Sequence, residues 1–300
     1  MNKSKLQVFL ENLFLSGFSL LKVILLSKFR LKLPDSNLHD CLILGNGPSL
    51  NGFLKDHASF VENKVLFCVN FFARTDLYPQ LKPTNYIITS PEYFQGEEKE
   101  TWKNDRIRTF KTIVEKTDWK LNLIVPALAR KQKEWQKIIR KNSNITIYYF
   151  NNTPIEGFES INNLFFSLKL GSPRPHNVLI PSILIALNMR FKKIYLTGTD
   201  HSWTKDLFVT EDNEVLLSQK HFYDHQNKEK DEIEKNTDKP QPMYKGGSTE
   251  KRKIHEVLIK FVYSFRSYWQ IKSYAEHLGI EIYNLTLDSF IDAFPKKRIE

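Results

Sequence analysis

Apolar residues along this chain fall into short runs separated by polar turns, and the order of those runs predicts strands alternating with helices. Cys41–Leu44 is the first strand-like run and ends in Gly45-Asn46-Gly47-Pro48-Ser49-Leu50, where a helix begins. Residues 64–69 form the next run, closing at Asn70, and 86–89 the third, closing at Ser90. From 96 to 143 the pattern is charged and helical, broken by a strand at 121–125 and resuming as a helix over 127–142. Ile145–Phe150 reads as a strand from its β-branched and aromatic residues. A glycine- and proline-bearing loop at 171–177 leads into a buried helix at 178–187 and a strand from Lys193 to Thr197, which runs into Gly198-Thr199-Asp200-His201-Ser202-Trp203. Periodicity fades between 208 and 244, a long helix rich in aromatics covers 249–278, and 280–284 is the last strand. Strands alternating with helices predict an α/β fold around a mostly parallel sheet with flanking helices.

The N-terminal segment stands apart. Over 5–32, Leu6, Phe9, Leu10, Leu13, Phe14, Leu21, Val23 and Ile24 recur at helical spacing among Lys3, Lys5, Lys22, Lys28, Arg30 and Lys32. Glu11, Asn12 and Lys22 interrupt the apolar run, so no uncharged stretch of about eighteen residues is expected to span a bilayer. No small-residue cleavage site of a secretory signal follows it. Two readings stand: a helix lying on an anionic membrane surface, or a helix packed on its own domain or in a dimer. The expected organisation is this helix over 1–35, then a single domain over 36–300 with a lid at about 204–248.

In open α/β sheets ligands collect outside the carboxyl ends of the strands, so Asn46, Asn70 and Ser90 are expected at one crevice. Gly45 and Gly47 would let a backbone approach a phosphate, with Pro48 and Ser49 at the helix start and Asn46 adding a side-chain donor. The turn is neither a dinucleotide fingerprint, lacking the third glycine, nor a P-loop, since Pro48-Ser49 replaces Lys-Ser/Thr. A plain strand-to-helix turn is the competing reading. Arg174, His176 and Asn177 precede the 178–187 helix, and Gly198, Thr199, Asp200 and His201 end the next strand; Arg174 or His176 would hold a phosphate and Asp200 a sugar hydroxyl, unless Asp200 is a turn carboxylate. His221 and His225 lie in the lid, where histidine is suited to take a proton near neutral pH. Their spacing alone, without a helix or third ligand, makes a metal site the weaker reading.

Composition narrows the classes. Three hundred residues with 41% apolar content supply a real core and exclude a disordered chain, and a net charge of +10 implies an anionic partner. Cys41 and Cys68 lie in apolar runs and read as reduced core residues of a cytosolic protein rather than a disulfide. The basic charge comes without a nucleic-acid-binding motif, so no nucleic-acid partner is expected.

Taken together, Gly45-Asn46-Gly47-Pro48-Ser49-Leu50, Val69-Asn70, Ile185-Ala186-Leu187 and Lys193-Ile194-Tyr195-Leu196-Thr197-Gly198-Thr199-Asp200 resemble the bacterial sialyltransferases of glycosyltransferase family 42. They are also similar to the related domain of unknown function 115, found in motility-associated flagellin glycosyltransferases and an archaeal pterin pyrophosphokinase. The likeness runs in order over about residues 41–290, and its specific blocks are the first and the one made of Ile185-Ala186-Leu187 followed by Lys193 to Asp200. It implies a modified Rossmann-like (GT-A-variant) fold that binds a CMP-activated acidic sugar, such as sialic acid, Kdo or a related nonulosonate, and transfers it with inversion. The family's two nucleotide-contacting asparagines map onto Asn46 and Asn70. Its third-strand asparagine is replaced by Ser90, its Ser-Gly helix start by His176-Asn177, and a tyrosine assisting phosphate departure maps near Ser202. Its catalytic histidine maps onto His225, with His221 second.

That resemblance implies a CMP-sugar donor, no obligatory metal with Mg²⁺ at most stimulatory, and a glycan or lipid-linked saccharide acceptor of lipopolysaccharide or capsule type. The enzyme would sit peripherally on the inner face of the cytoplasmic membrane. Two alternatives stay open: a pterin pyrophosphokinase-like enzyme requiring ATP and Mg²⁺, and a non-catalytic nucleotide-sugar- or polysaccharide-binding accessory protein. Whether the chain forms a homo-oligomer is equally open.

Overall fold

The computed structural model describes residues 3–36, 39–90, 93–94, 100–224, 240–245 and 248–299, with the backbone alone for 100–105. The chain begins with helix α1 (Lys5–Leu26) and strand β1 (Cys41–Leu44). Helices α2 (Leu50–Asp56) and α3 (Ala58–Glu62) lead to β2 (Val65–Val69), and α4 (Leu77–Leu81) leads to β3 (Asn85–Ile87). Then follow α5 (Glu100–Lys116), β4 (Leu121–Pro126), α6 (Glu134–Ile139), β5 (Ile145–Phe150), α7 (Glu159–Ser167), α8 (Leu179–Asn188) and β6 (Lys193–Thr197). Three short strands, β7 (Leu207–Val209), β8 (Val215–Leu217) and β9 (Gln241–Pro242), precede the long helix α9 (Ile254–Leu278) and β10 (Glu281–Asn284).

Seven strands form one parallel sheet in the order β10-β6-β1-β2-β3-β4-β5. Cys41 and Ile43 of β1 bury into one layer and Leu42 and Leu44 into the other, which is why the run is apolar without alternation. The first layer holds α7, α8 and α9, with Phe166, Ile183 and Tyr274 in the core; the second holds α2 to α6, with Leu50, Tyr78, Phe110 and Trp135. Successive strands step away from β1 as far as β5, and the chain then returns to β1's other side for β6. This reversal makes the carboxyl ends of β1 and β6 the natural ligand crevice of the sheet.

Three sequence expectations change. The helix over 127–142 is two pieces: a 3₁₀ turn at Ala127–Lys131, then α6. The Trp135 indole N–H donates to the Ala129 carbonyl at 3.0 Å, and the Gln136 amide donates to Arg130 O at 3.0 Å. Those carbonyls would serve the backbone of a continuous helix, so side-chain donors break it. Within the weakly patterned lid region, β7, β8 and β9 form an antiparallel sheet, seated on Val257 and Phe261 of α9.

The third change concerns α1. Of the apolar residues whose spacing marked it, Val23 alone is buried; Leu6 is 66% exposed and Phe14 73%. The face turned to the domain carries Ser16 and Ser19. Ser16 Oγ accepts the Phe158 amide at 2.9 Å, and Ser19 Oγ accepts the Glu156 amide at 2.9 Å and donates to the Glu156 carbonyl at 2.8 Å. Beyond the helix end, Ser27 Oγ donates to Thr153 at 2.8 Å, and the Lys28 amide donates to Asn151 Oδ1 at 2.8 Å. Gly157, at φ +122°, lets the two backbones close: a Cβ there would stand 2.2 Å from Ser16 Oγ. The helix does pack on its own domain, but largely through hydroxyls, beside Val23 and the Phe9–Phe158 ring pair, and most of its apolar side is left outward. The helix is also long and apolar enough to cross a membrane, with mean hydropathy 1.7 over its best window, which counting charged interruptions did not anticipate.

Candidate functional site

The Gly45–Ser49 turn at the end of β1 is clasped to the turn that ends β6. The Gly45 amide donates to Thr197 O and the Gly47 amide to Gly198 O, both at 2.8 Å. A Cβ on Gly45 would stand 2.3 Å from Gly198 O, and one on Gly47 1.9 Å from Asp200 Oδ2. Gly198 itself adopts φ +64°. The glycines serve this backbone-to-backbone approach, and both amides expected to cradle a phosphate are bonded within the protein. Ser49 does not cap α2; its hydroxyl donates to Asp200 Oδ2 at 2.9 Å. Burial raises the Asp200 pKa, opposed by hydrogen bonds from the Ser49 hydroxyl and nearby amides. Asp200 is thus the turn carboxylate of the competing reading, with one edge facing the crevice.

A cavity of about 650 Å³ opens where the sheet reverses, and it gathers Asn46, Gly47, Pro48, Asn70, Ser90, His176, Asn177, Gly198, Asp200, His201 and His221. Three of its amides have one side unsatisfied. Asn46 Nδ2 donates to Val69 O at 3.2 Å, leaving a buried Oδ1 without a partner. Asn70, held at φ +52° where β2 ends, likewise has an unpaired buried Oδ1. Across the cavity, Asn177 Oδ1 accepts the Leu179 amide at 2.9 Å and the Ile180 amide at 3.2 Å, capping α8, while its Nδ2 is buried with no acceptor. Buried amides without partners cost free energy, so these atoms mark where a ligand's hydroxyls and an anion would be received. The β1-turn amides are thus closed to a phosphate, and so are the Leu179 and Ile180 amides of α8, which leaves Asn177 Nδ2 as an open donor on the cavity wall.

Behind this wall runs a neutral relay. The Tyr268 hydroxyl stands between Asn177 Oδ1, at 3.1 Å, and His201 Nε2, at 2.7 Å, and the imidazole tautomer decides which of the two receives its proton. Burial lowers the His201 pKa to about 3, which keeps the ring uncharged. His201 packs on Trp203 at 4.2 Å, and Trp203 on Phe261 at 5.4 Å, giving the cavity an aromatic side. His176 stacks on Tyr263 at 5.3 Å; burial first, then Lys260 and Arg174, lower its pKa, so it is a poor phosphate cation.

Within the 204–248 segment, Phe222 is tied to the β1 turn and to α2: its amide donates to Asn46 O at 3.0 Å, and Asn51 Nδ2 donates to Phe222 O at 2.9 Å. His221 reaches the cavity from this anchored segment. Its amide donates to Asp224 Oδ2 at 2.6 Å, and its Nδ1 lies 3.8 Å from Asp224 Oδ1. His225, the first-ranked base, lies outside the described residues.

Four expected residues do not line the cavity. Gly45 and Ser49 build the clasp. Thr199 is fully buried, its hydroxyl donating to Asn284 Oδ1 at 3.0 Å and its amide to Thr286 Oγ1 at 3.1 Å. Arg174 pairs with Glu156 at 2.8 Å and lies over Tyr263, on the far side of its loop. The cavity also includes Asn152, Trp203 and Lys260. Asn152 stands two residues past the end of β5, so the strand-end rule reaches it; Lys260 carries no such signal. Among the described residues no group of three or more His, Cys, Asp or Glu side chains is placed to hold a metal.

No family model matches the chain, and no curated protein does. Among solved structures, it is similar to the MAf glycosyltransferase from Magnetospirillum magneticum AMB-1, at 10% identity and a TM-score of 0.46. The match covers 91% of this chain and 35% of the other, so the chain spans about a third of that protein. A likeness of this degree assigns neither residues nor activity.

Proposed function

We propose that this chain is an inverting glycosyltransferase that moves an acidic sugar from a CMP-sugar to a surface glycan or lipid-linked saccharide. The observation that carries the reading is the trio of unsatisfied buried amide atoms, Asn46 Oδ1, Asn70 Oδ1 and Asn177 Nδ2, around one cavity at the sheet's reversal. Its volume suits a nucleotide-sugar-sized ligand, and two acceptors opposite one donor at a helix start suit sugar hydroxyls and a phosphate.

In this mechanism His221 takes the proton of the acceptor hydroxyl, with His225 as the alternative base. The acceptor oxygen bonds the anomeric carbon as the bond to the CMP phosphate breaks, and the electron pair leaves on the phosphate. Asn177 Nδ2 receives that charge, a preorganised stabilisation of the departing group. The Asp224 carboxylate, 3.8 Å from His221 Nδ1, is placed to stabilise the imidazolium that proton uptake creates. A departing monophosphate needs no obligatory metal. The outward apolar side of α1, flanked by Lys3, Lys5, Lys28, Arg30 and Lys32, supports a peripheral seat on an anionic membrane where lipid-linked acceptors reside.

Thermal unfolding with CMP, CDP, UDP, GDP and ATP, each with and without Mg²⁺, tests the reading. Stabilisation selective for CMP and independent of metal is expected; about 2.7 kcal/mol accompanies ligand at a hundred times its Kd. Stabilisation by ATP with Mg²⁺ alone would overturn it in favour of a pyrophosphokinase.

A further inference from the structure

A second cavity, of about 380 Å³, lies between α1, α7 and α9 on the other side of the 174–176 loop from the first. One residue separates the two: Tyr263 stacks on His176, which faces the first cavity, and carries the Arg174 guanidinium, which faces the second, at 4.6 Å. We propose that this second cavity is a saccharide-binding site that holds the glycan of a membrane-anchored acceptor.

Its chemistry is that of a polyol site. Asn162 is 5% exposed; its Nδ2 donates to Gly157 O at 3.3 Å, and its Oδ1 is buried without a partner, ready for a hydroxyl. Arg174 Nε is a buried donor, also unpaired. Glu156 is already neutralised by Arg174, so the cavity is not a repulsive acidic pocket. Arg266 lines it and forms no ion pair among the described residues, giving a cation for an acidic substituent. Trp269 is 47% exposed at the rim; Lys272 Nζ covers one face of its ring at 4.6 Å, and the other face is the one that would meet the C–H side of a sugar ring. Planar polar groups beside a half-exposed indole suit a saccharide better than a lipid tail or a peptide.

The location supports an anchored ligand. Asn12 and Leu15 of α1 form one wall, so the site opens beside the helix whose apolar side faces outward. A glycan held here, its lipid in the membrane under α1, would reach past Tyr263 toward the first cavity. The acceptor role rests on the glycosyltransfer reading; saccharide binding does not.

The full chain, in detergent, is tested on an array of short neutral and acidic oligosaccharides, beside Trp269→Ala and Arg266→Gln. Unfolding temperature and CMP-induced stabilisation are measured for each. The wild type is expected to bind a subset of glycans, with both variants folded and losing at least tenfold in glycan affinity at unchanged CMP stabilisation. Absence of glycan binding by the wild type, or binding that survives both substitutions, overturns the proposal. Glycan binding lost in the variants, with no response to CMP in any protein, supports this site and removes the donor assignment instead.

Discussion

Tyr268 and His201 share a 2.7 Å hydrogen bond buried beneath the cavity wall. In the folded chain burial depresses the His201 pKa from an ordinary 6.5 to about 3. An unfolded chain takes up that proton below about pH 6.5 while the folded one refuses it, so stability falls as pH drops through this window and is indifferent to His201 above it. The slope reaches about 1.4 kcal/mol per pH unit. Chemical denaturation of the wild type between about pH 7 and pH 4 should show this loss beyond that of His201→Asn, a residue that tolerates the local φ of +50°. Parallel stability curves for the two proteins would contradict the assignment.

The clasp between the β1 and β6 turns predicts opposite outcomes for two neighbouring glycines. Gly47→Ala drives a methyl into the Asp200 carboxylate and stands 2.7 Å from Gly198 O, costing about 1–3 kcal/mol. Gly52, inside α2 with nothing within 4 Å, should gain about 0.4–1 kcal/mol on replacement by Ala. Urea midpoints of the two variants measure both.

Asn177→Asp separates capping from ligand binding. The new carboxylate keeps the acceptor that caps α8 and favours the helix dipole, but it exchanges the Nδ2 donor for a negative oxygen. Unfolding temperature should hold or rise, while CMP affinity falls at least about tenfold, a loss of about 1.4 kcal/mol. Calorimetric titration with CMP reads the difference, and unchanged affinity would remove Asn177 from the phosphate site.

His221→Gln should lower transfer by about 10²–10⁴-fold at unchanged CMP-induced stabilisation, if His221 is the base. The same measurement on His225→Gln decides between the two histidines. Full transfer activity in both variants would remove the general-base role from this segment.

For α1, Phe14→Glu and Leu21→Glu alter exposed positions and should leave the unfolding free energy within about 0.5 kcal/mol of wild type while weakening sedimentation with anionic vesicles. Ser16→Leu should do the reverse of what hydropathy suggests: it removes the acceptor of the Phe158 amide and collides with Gly157, loosening α1 from the domain.

The parallel sheet was legible because strands buried on both faces leave apolar runs, and β1, β2, β5 and β6 fall within a residue of where those runs place them. The meeting of Asn46, Asn70 and Ser90 was legible too, since strand-end position fixes it. What hydropathy could not show was small-group chemistry. The glycines of the β1 turn looked like room for a phosphate, yet the room is filled by Gly198 and Asp200, residues far away in sequence. Thr199, adjacent to a site residue, points inward because Asn284 and Thr286 of a distant segment receive it. The aromatic run of the long helix does not say which rings are buried: a helix turns about 100° per residue, so Tyr268 is buried while its neighbour Trp269 stands at the surface.

The hydroxyls that fasten α1 tie it to residues 151–158, and that segment is bridged through Ser172 to the loop preceding α8. If α1 seats on a membrane, it therefore fixes the heading of the crevice relative to the surface beneath it. A transferase of the proposed kind, held at one heading, would meet its acceptor by diffusion across an area rather than through a volume, and its turnover would follow the surface density of acceptor instead of its bulk concentration.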